Sequence, residues 1–239
     1  MPVESSTLVC VATYNELENL PSLVEKIFAA MPDCELLVVD DNSPDGTGKW
    51  CDEYAKGDSR LRCLHRPGKL GLGTAAIAGV TYAIEHGYDL LVNLDADHSH
   101  DPAVIPTLVS MVREGQCDVA VASRYIKGGR IEGWPLTRRL ISKIVNGVAR
   151  YGLGIPVRDT SGSFRCYRVE LLKQIDWDKF QSSGYSFYEE VLFRLRRAGA
   201  SMKEYPITFI DRRLGSTKAT LQEAWRSGWQ LIRLTLCSR

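Results

Sequence analysis

The chain has 239 residues, 44% hydrophobic and 25% charged, with a formal net charge of +1. A chain of this length can bury roughly 70% of its unfolded surface, enough for one ordinary domain with an appendage, and the composition excludes disordered and fibrous architectures. Near-neutrality argues against a general nucleic-acid binder, but the total conceals a split: residues 1–101 carry 17 acidic and 7 basic side chains, whereas residues 102–239 carry 12 and 23. The seven cysteines are scattered and odd in number, with no C-x-x-C pair. That pattern fits reduced thiols better than a disulfide frame or a zinc site. No segment reads as a signal peptide, and no apolar run approaches the roughly 18–20 residues of a spanning helix. The expectation is a cytoplasmic protein, soluble or held peripherally at a membrane.

In chain order, residues 8–12 form a first strand and residues 18–30 a helix. Residues 36–40 (LLVVD) form a second strand, followed by the turn-rich NSPDGT and a helix over 49–55. A short strand at 61–65 and a helix over 73–86 lead into 90–95 (LLVNLD). Asp101-Pro102 then opens another helix, with Asp at the N-cap and Pro in the first turn. Residues 119–123 (VAVAS) are the next strand. Continuous apolar runs separated by helices imply an α/β fold with a mostly parallel central sheet covered on both faces. Ligands of such sheets sit at the carboxyl ends of the strands. Three of these runs end in polar chemistry: Tyr14-Asn15-Glu16, Asp40-Asp41 and Asp95-Ala96-Asp97.

The second half is less regular. Residues 136–150 make a helix with Leu136, Leu140, Ile141, Ile144, Val145 and Val148 on one arc and Arg138, Arg139, Ser142, Lys143, Asn146 and Arg150 on the other. Residues 219–236 divide similarly, with Trp225 and Trp229 on the apolar side. The simplest division is one domain over 1–218 and an amphipathic helical tail over 219–239.

Asp95 and Asp97 are suited to a hard divalent cation with oxygen ligands, or to capping and solvation at a strand end. His98-Ser99-His100 invites a zinc reading, but its crowding fits no usual zinc spacing. Gly71-Leu72-Gly73-Thr74-Ala75-Ala76 matches the G-x-G-x-x-A dinucleotide pattern, yet it does not follow the first strand of its unit. These glycines serve either close backbone approach to a ligand or a tightly packed helix start. Asp40 and Asp41 can accept from ribose hydroxyls or base N–H groups, while turn formation alone also accounts for the following NSPDGT. Arg138 and Ser142 lie four residues apart on the polar arc, so both can address one anion.

Taken together, ATYNE (12–16), VDDNSPDGT (39–47), KLGLGTA (69–75), DADHSHDP (95–102) and SRYIKGG (123–129) form a recognisable series. It continues with Trp134, Arg138, Ser142 and Asn146, then DTSGSFRCY (159–167), GYSFYEE (184–190) and FIDRRLGSTK (209–218). In order and spacing the series resembles the family 2 glycosyltransferases of the GT-A fold, most closely the dolichyl-phosphate mannosyltransferases. The match covers nearly the whole chain to about residue 218.

That resemblance implies a metal-dependent, inverting transfer of mannose from GDP-mannose to dolichyl or polyprenyl phosphate at the cytoplasmic membrane face. It implies a nucleotide pocket lined by Ala12, Tyr14, Glu16, Val39 and Asp41. Asp95, Ala96 and Asp97 would meet the donor diphosphate, with Mg²⁺ or Mn²⁺ held by Asp95, Asp97 and Ser99. Ser99 stands where relatives often carry Gln, and Ser163 interrupts a stretch that commonly runs Gly-Phe. Arg124, Arg138 and Ser142 would address the lipid phosphate, with Arg124 also reaching the donor. Arg212 and Lys218 would close over the donor. A lipid monophosphate is already anionic, so no strong base is required, and Asp159 is the best candidate if one is needed. A small membrane-embedded anchoring partner is compatible with this reading. A glucosyl or aminosugar transferase is the alternative within the family; an NAD(P)-dependent oxidoreductase and a non-catalytic sugar-nucleotide module are alternatives outside it.

Overall fold

The computed structural model describes residues 6–180 and 186–211. β1 (Thr7–Thr13), β2 (Glu35–Asp40), β4 (Leu90–Asp95) and β5 (Val119–Ser123) are mainly apolar, with Asn93 a buried polar exception inside β4, because both of their faces are buried. Alternate residues serve the two sides: Leu8, Leu37, Leu91 and Val119 join one core, and Val9, Leu36, Val92 and Ala120 join the other. With β3 (Leu61–His65), β7 (Arg165–Arg168) and β8 (Met202–Pro206), these strands form a seven-stranded sheet in the order β3-β2-β1-β4-β7-β5-β8. All pairings are parallel except those of β7, which runs antiparallel between β4 and β5. A second, two-stranded parallel sheet joins β6 (Arg130–Glu132) to β9 (Thr208–Ile210).

The helices are α1 (Leu20–Ala30), α2 (Thr47–Ala55), α3 (Leu72–Glu85), α4 (Ile105–Arg113), α5 (Leu136–Gly152), α6 (Val169–Leu172) and α7 (Ser186–Arg197). α1 buries Leu20, Leu23, Val24, Ile27 and Phe28, the i, i+3, i+4, i+7, i+8 stripe of an amphipathic helix. α3 explains the glycine-rich segment. A Cβ at Gly79 would fall 2.4 Å from Cys10 Sγ and one at Gly73 3.2 Å from the Phe187 ring, so small residues let the helix lie close to the sheet and to α7. Asp101 caps the segment before α4 by accepting from Ala103 N–H at 3.0 Å, but residues Pro102–Val104 form a 3₁₀ turn before the α-helix begins.

α5 is seated with its polar side inward. Asn146 and Ala149 are buried, whereas Leu136, Leu140, Ile141, Ile144, Val148 and Tyr151 are exposed. Among the described residues no helix is long and apolar enough to cross a membrane. The amphipathic tail read at 219–239 lies outside the described residues, as do Arg212 and Lys218.

Candidate active site

The carboxyl ends of β1, β2 and β4 lie side by side. Ala12 is in register with Val39 on one side and with Asp95 on the other, so three residues singled out in sequence form one row across the sheet. Beyond this row the chain turns through Asn15, Asn42 and His98, the three non-glycine residues with positive φ among those described. Such conformations cost energy and gather where a structure over-determines a functional edge.

On the β1–β2 side, most of the carboxylates are engaged. Asp40 accepts from Thr13 Oγ1 at 2.9 Å and from Ser43 N and Oγ, and Asp45 accepts from Leu17 N and from Thr47 N and Oγ1, so these two shape the NSPDGT turn. Asp41 is buried and accepts from the backbone N–H groups of Leu70 and Gly71 at 3.1 and 3.2 Å. Arg66 Nε lies 2.8 Å from Asp41 Oδ1 as a charge contact without hydrogen-bond alignment. The Leu70–Gly71 loop is therefore fastened to Asp41, and its glycines are accounted for without a dinucleotide. The Glu16 carboxylate accepts from Asn19 Nδ2 at 2.8 Å at the start of α1. The Lys69 ammonium stands 4.4 Å from the centre of the Tyr14 ring.

At the end of β4, Asp95 and Asp97 are half-buried and Ala96 is buried between them. Asp97 Oδ1 accepts from Ser99 N–H at 3.0 Å, and Asp95 Oδ1 accepts from Ser163 Oγ at 2.7 Å. Ser99 Oγ is buried and has no hydrogen-bond partner. Two carboxylates beside an orphaned buried hydroxyl make an all-oxygen donor set, which fits Mg²⁺ or Mn²⁺ and not a softer ion. The zinc reading of His98 and His100 fails because the two side chains diverge. His98 Nε2 contacts Ser22 Oγ at 2.8 Å, while His100 is buried between the rings of Phe164 and Phe209. Burial depresses the His100 pKa, the opposing charges of Asp95 and Asp97 notwithstanding. A neutral ring uses Nδ1 to accept from Asp95 N–H, and its 4.0 Å approach to Asp95 Oδ2 is no salt bridge.

The loop 159–163 connects this acidic edge to the basic half. Asp159, fully buried, receives Arg124 Nε and Nη2 at 2.7 Å each and the Arg124 backbone N–H at 2.9 Å. Burial alone would raise the Asp159 pKa; the charge and hydrogen bonds of Arg124 outweigh it and hold the carboxyl below the usual range. Reciprocally, burial would lower Arg124, and Asp159 reverses that. With both oxygens occupied by Arg124 and the Gly162 N–H, Asp159 is placed to position Arg124 and has no lone pair directed at a substrate proton. Arg124 Nη2 also donates to Ser161 Oγ at 3.0 Å, and its guanidinium lies 5.3–5.4 Å from the ring centres of Tyr125, Trp134 and Phe209.

α5 closes the same loop. Asn146 Oδ1 accepts from Thr160 N at 2.6 Å and Ser161 N at 3.2 Å. Ser142 Oγ accepts from Tyr125 Oη at 2.6 Å. Arg138 stacks 3.9 Å from the Trp134 ring centre and donates to Asp211 at 3.2 and 3.3 Å. Arg138 and Ser142 thus share a helix face but hold different partners. Four residues that sequence reasoning did not single out for this edge complete it: Ser163 on Asp95, Tyr125 on Ser142, Asp211 on Arg138, and Arg66 on Asp41. Ser163 was visible in sequence only as a departure from the family pattern.

The family model described as glycosyl transferase family 2 matches residues 8–176. The chain belongs to glycosyl transferase family 2. It is 43% identical over 211 residues to an undecaprenyl-phosphate mannosyltransferase of Micrococcus luteus, covering 88% of this chain and 86% of that one. It is 43% identical over 213 residues to a polyprenol monophosphomannose synthase of Mycolicibacterium smegmatis, covering 89% and 80%. Among solved structures it resembles glucosyl-3-phosphoglycerate synthase from Mycobacterium tuberculosis, crystallised with Mn²⁺, uridine diphosphate and glucosyl-3-phosphoglycerate. There the TM-score is 0.67 at 21% identity over 98% of this chain and 79% of that one. The fold is GT-A, a mostly parallel sheet flanked by helices, as the motif order implied.

Proposed function

We propose that this glycosyltransferase moves mannose from GDP-mannose to a polyprenyl phosphate, with inversion, at a membrane surface. The observation that carries the reading is 43% identity, over a stretch long enough to include both the Asp95–Asp97 edge and α5, to a protein named for mannosyl transfer to undecaprenyl phosphate. Ala12, Tyr14, Glu16, Val39 and Asp41 face the donor nucleotide at the β1–β2 edge, where Ala12 and Val39 stand in register. Asp95, Asp97 and Ser99 hold Mg²⁺ or Mn²⁺, which supplies charge stabilisation for the departing diphosphate. Ser163 orients Asp95, and buried Asn146 fixes the 159–163 loop against α5. Arg124, kept charged and directed by Asp159, and Arg138, stacked on Trp134, offer the anion-binding surface for acceptor phosphate. Ser142 assists them, and the roles read in sequence for Arg212 and Lys218, contact with the donor, complete the proposal. The acceptor phosphate attacks the anomeric carbon as an anion, so the site works without a general base.

The exposed apolar arc of α5 gives the lipid a place to remain while its phosphate enters. Leucine and isoleucine face outward along the helix and arginine, serine and asparagine face the cleft, as in a helix lying in an interface. A cytoplasmic-face location and a small anchoring subunit are consistent with this arrangement. The deciding experiment is a transfer assay crossing GDP-mannose and UDP-glucose with short and long polyprenyl phosphates, with Mg²⁺ or Mn²⁺. Radiolabelled mannose in the lipid extract, dependent on metal and abolished in Asp97→Asn, is the expected result. Transfer from UDP-glucose alone would reject the donor, and nucleotide binding without lipid labelling in any combination would reject catalysis.

A further inference from the structure

A second group of metal-ligating side chains lies at the β3 edge of the sheet, apart from Asp95 and Asp97. Cys63 and His65 are two residues apart on β3 and so point to one face. α2 packs against that edge and brings Asp52. One ligand atom from each, a sulfur, a ring nitrogen and a carboxylate oxygen, lie within 4.8 Å of one another. His65 Nε2 is 2.8 Å from Asp52 Oδ1, and His65 Nδ1 is 4.0 Å from Cys63 Sγ. Behind the cluster, α2 places the buried thiol of Cys51 one residue before Asp52. The imidazole is held in place by α2 itself: a Cβ at Gly48 would meet the ring at 2.9 Å, so glycine permits the close seating. β3 and β4 are separated by three strand spacings, about 14 Å, and no step of sugar transfer uses this cluster.

We propose that Asp52, Cys63 and His65 form a binding site for a thiophilic divalent cation of the Zn²⁺ type. Sulfur, nitrogen and one carboxylate are the ligands such ions select, and three protein ligands leave a fourth position for water. The same thiolate disfavours Mg²⁺ and Mn²⁺, which the oxygen-only set at Asp95 and Asp97 suits, so the two sites sort ions by softness. On binding, Cys63 releases its thiol proton to solvent and coordinates as the thiolate. The ion ties α2 to β3 at the residue in register with Asp40, whose carboxylate shapes the turn beside the nucleotide edge. It is therefore a structural clip whose occupancy steadies that edge.

The test is titration of the full-length, reduced protein with Co²⁺ in excess Mg²⁺. Thiolate-to-cobalt charge-transfer absorption should appear, be displaced by Zn²⁺, disappear in Cys63→Ser, and survive in Asp95→Asn. His65→Gln should weaken Co²⁺ binding by at least about tenfold, and Zn²⁺ should raise the melting temperature of the wild type but not of this variant. Thermal melts without metal check that each variant is folded; should Cys63→Ser fail to fold, His65→Gln carries the same decision. An absent band, a band that persists in Cys63→Ser, unchanged affinity in His65→Gln, or loss of the band in Asp95→Asn would each overturn the assignment.

Discussion

If α5 is the attachment surface proposed above, its outward apolar arc makes a quantitative demand on lipid binding. Leu140 is 61% and Ile144 57% exposed. Full burial of such a side chain is worth about 1.5–3 kcal/mol, so covering the exposed part of each contributes roughly 1–2 kcal/mol, and about 2–4 kcal/mol for the pair. Replacing both with glutamate removes that gain and adds repulsion from an anionic surface. The Leu140→Glu/Ile144→Glu variant should therefore partition onto anionic lipid vesicles at least about 30-fold less well than the wild type. Both positions face away from the hydrogen bonds that α5 makes to the 159–163 loop, so thermal melting should be unchanged or slightly improved. Turnover of a short-chain polyprenyl phosphate dissolved in water should persist, while turnover of a long-chain acceptor in vesicles should fall. Sedimentation with vesicles measures the first effect and radiolabel transfer the second. Equal vesicle binding by the variant and the wild type would refute α5 as the attachment surface.

Asp159→Asn leaves the buried Arg124 guanidinium without its counter-charge, and urea denaturation should show a loss of about 3–5 kcal/mol; a loss below 1 kcal/mol would mean the pair is not structurally coupled. Ser163→Ala removes the hydroxyl that donates to Asp95, and the Mn²⁺ concentration needed for half-maximal donor binding should rise by about tenfold with the melting temperature preserved; no change would remove Ser163 from the metal edge. Glu189, buried in α7, has its pKa pushed up to about 8, chiefly by burial, against an ordinary value of 4.5. The folded state therefore keeps a proton that the unfolded state releases. Stability should be greatest below about pH 4.5 as far as this group is concerned, decline between there and pH 8, and level off above, by several kcal/mol in all. Glu189→Gln should flatten that decline in melts recorded across the pH range, and an unaltered profile would contradict the assignment.

The strand–helix alternation to residue 123 is legible because β1, β2, β4 and β5 are covered on both faces and therefore carry mainly apolar sequence, Asn93 in β4 excepted. β7 escapes the same reading. Arg165-Cys166-Tyr167-Arg168 places an arginine in the middle of the sheet, tolerated because Arg165 donates to Tyr188 O at 2.8 Å and Thr160 O at 2.6 Å. That long-range satisfaction has no local signal. β8, with the sequence MKEYP, lies at a sheet edge, where polar residues face solvent and periodicity fades. In the site, the row of Ala12, Val39 and Asp95 follows from strand order, so the polar residues that close each apolar run mark it well. Helix spacing places Arg138 and Ser142 on one face but says nothing of what stands opposite, and Asp211 and Tyr125 come from distant segments. Likewise, positions 52, 63 and 65 match no linear zinc spacing; the packing of α2 on β3 brings them together.

The seating of α5 has a thermodynamic consequence. One side of this helix carries the groups that order the 159–163 loop, and the other carries the groups that seek an apolar phase. Because both sides belong to one helix, a lipid surface that favoured a particular helix position would also favour a particular arrangement of the 159–163 loop, which holds Arg124 through Asp159 and Asp95 through Ser163. Linkage makes the relation reciprocal: if attachment raises donor affinity by some factor, bound donor strengthens attachment by the same factor. Were α5 to lie in a lipid surface as proposed, residence there and readiness of the cleft would be two readings of a single equilibrium.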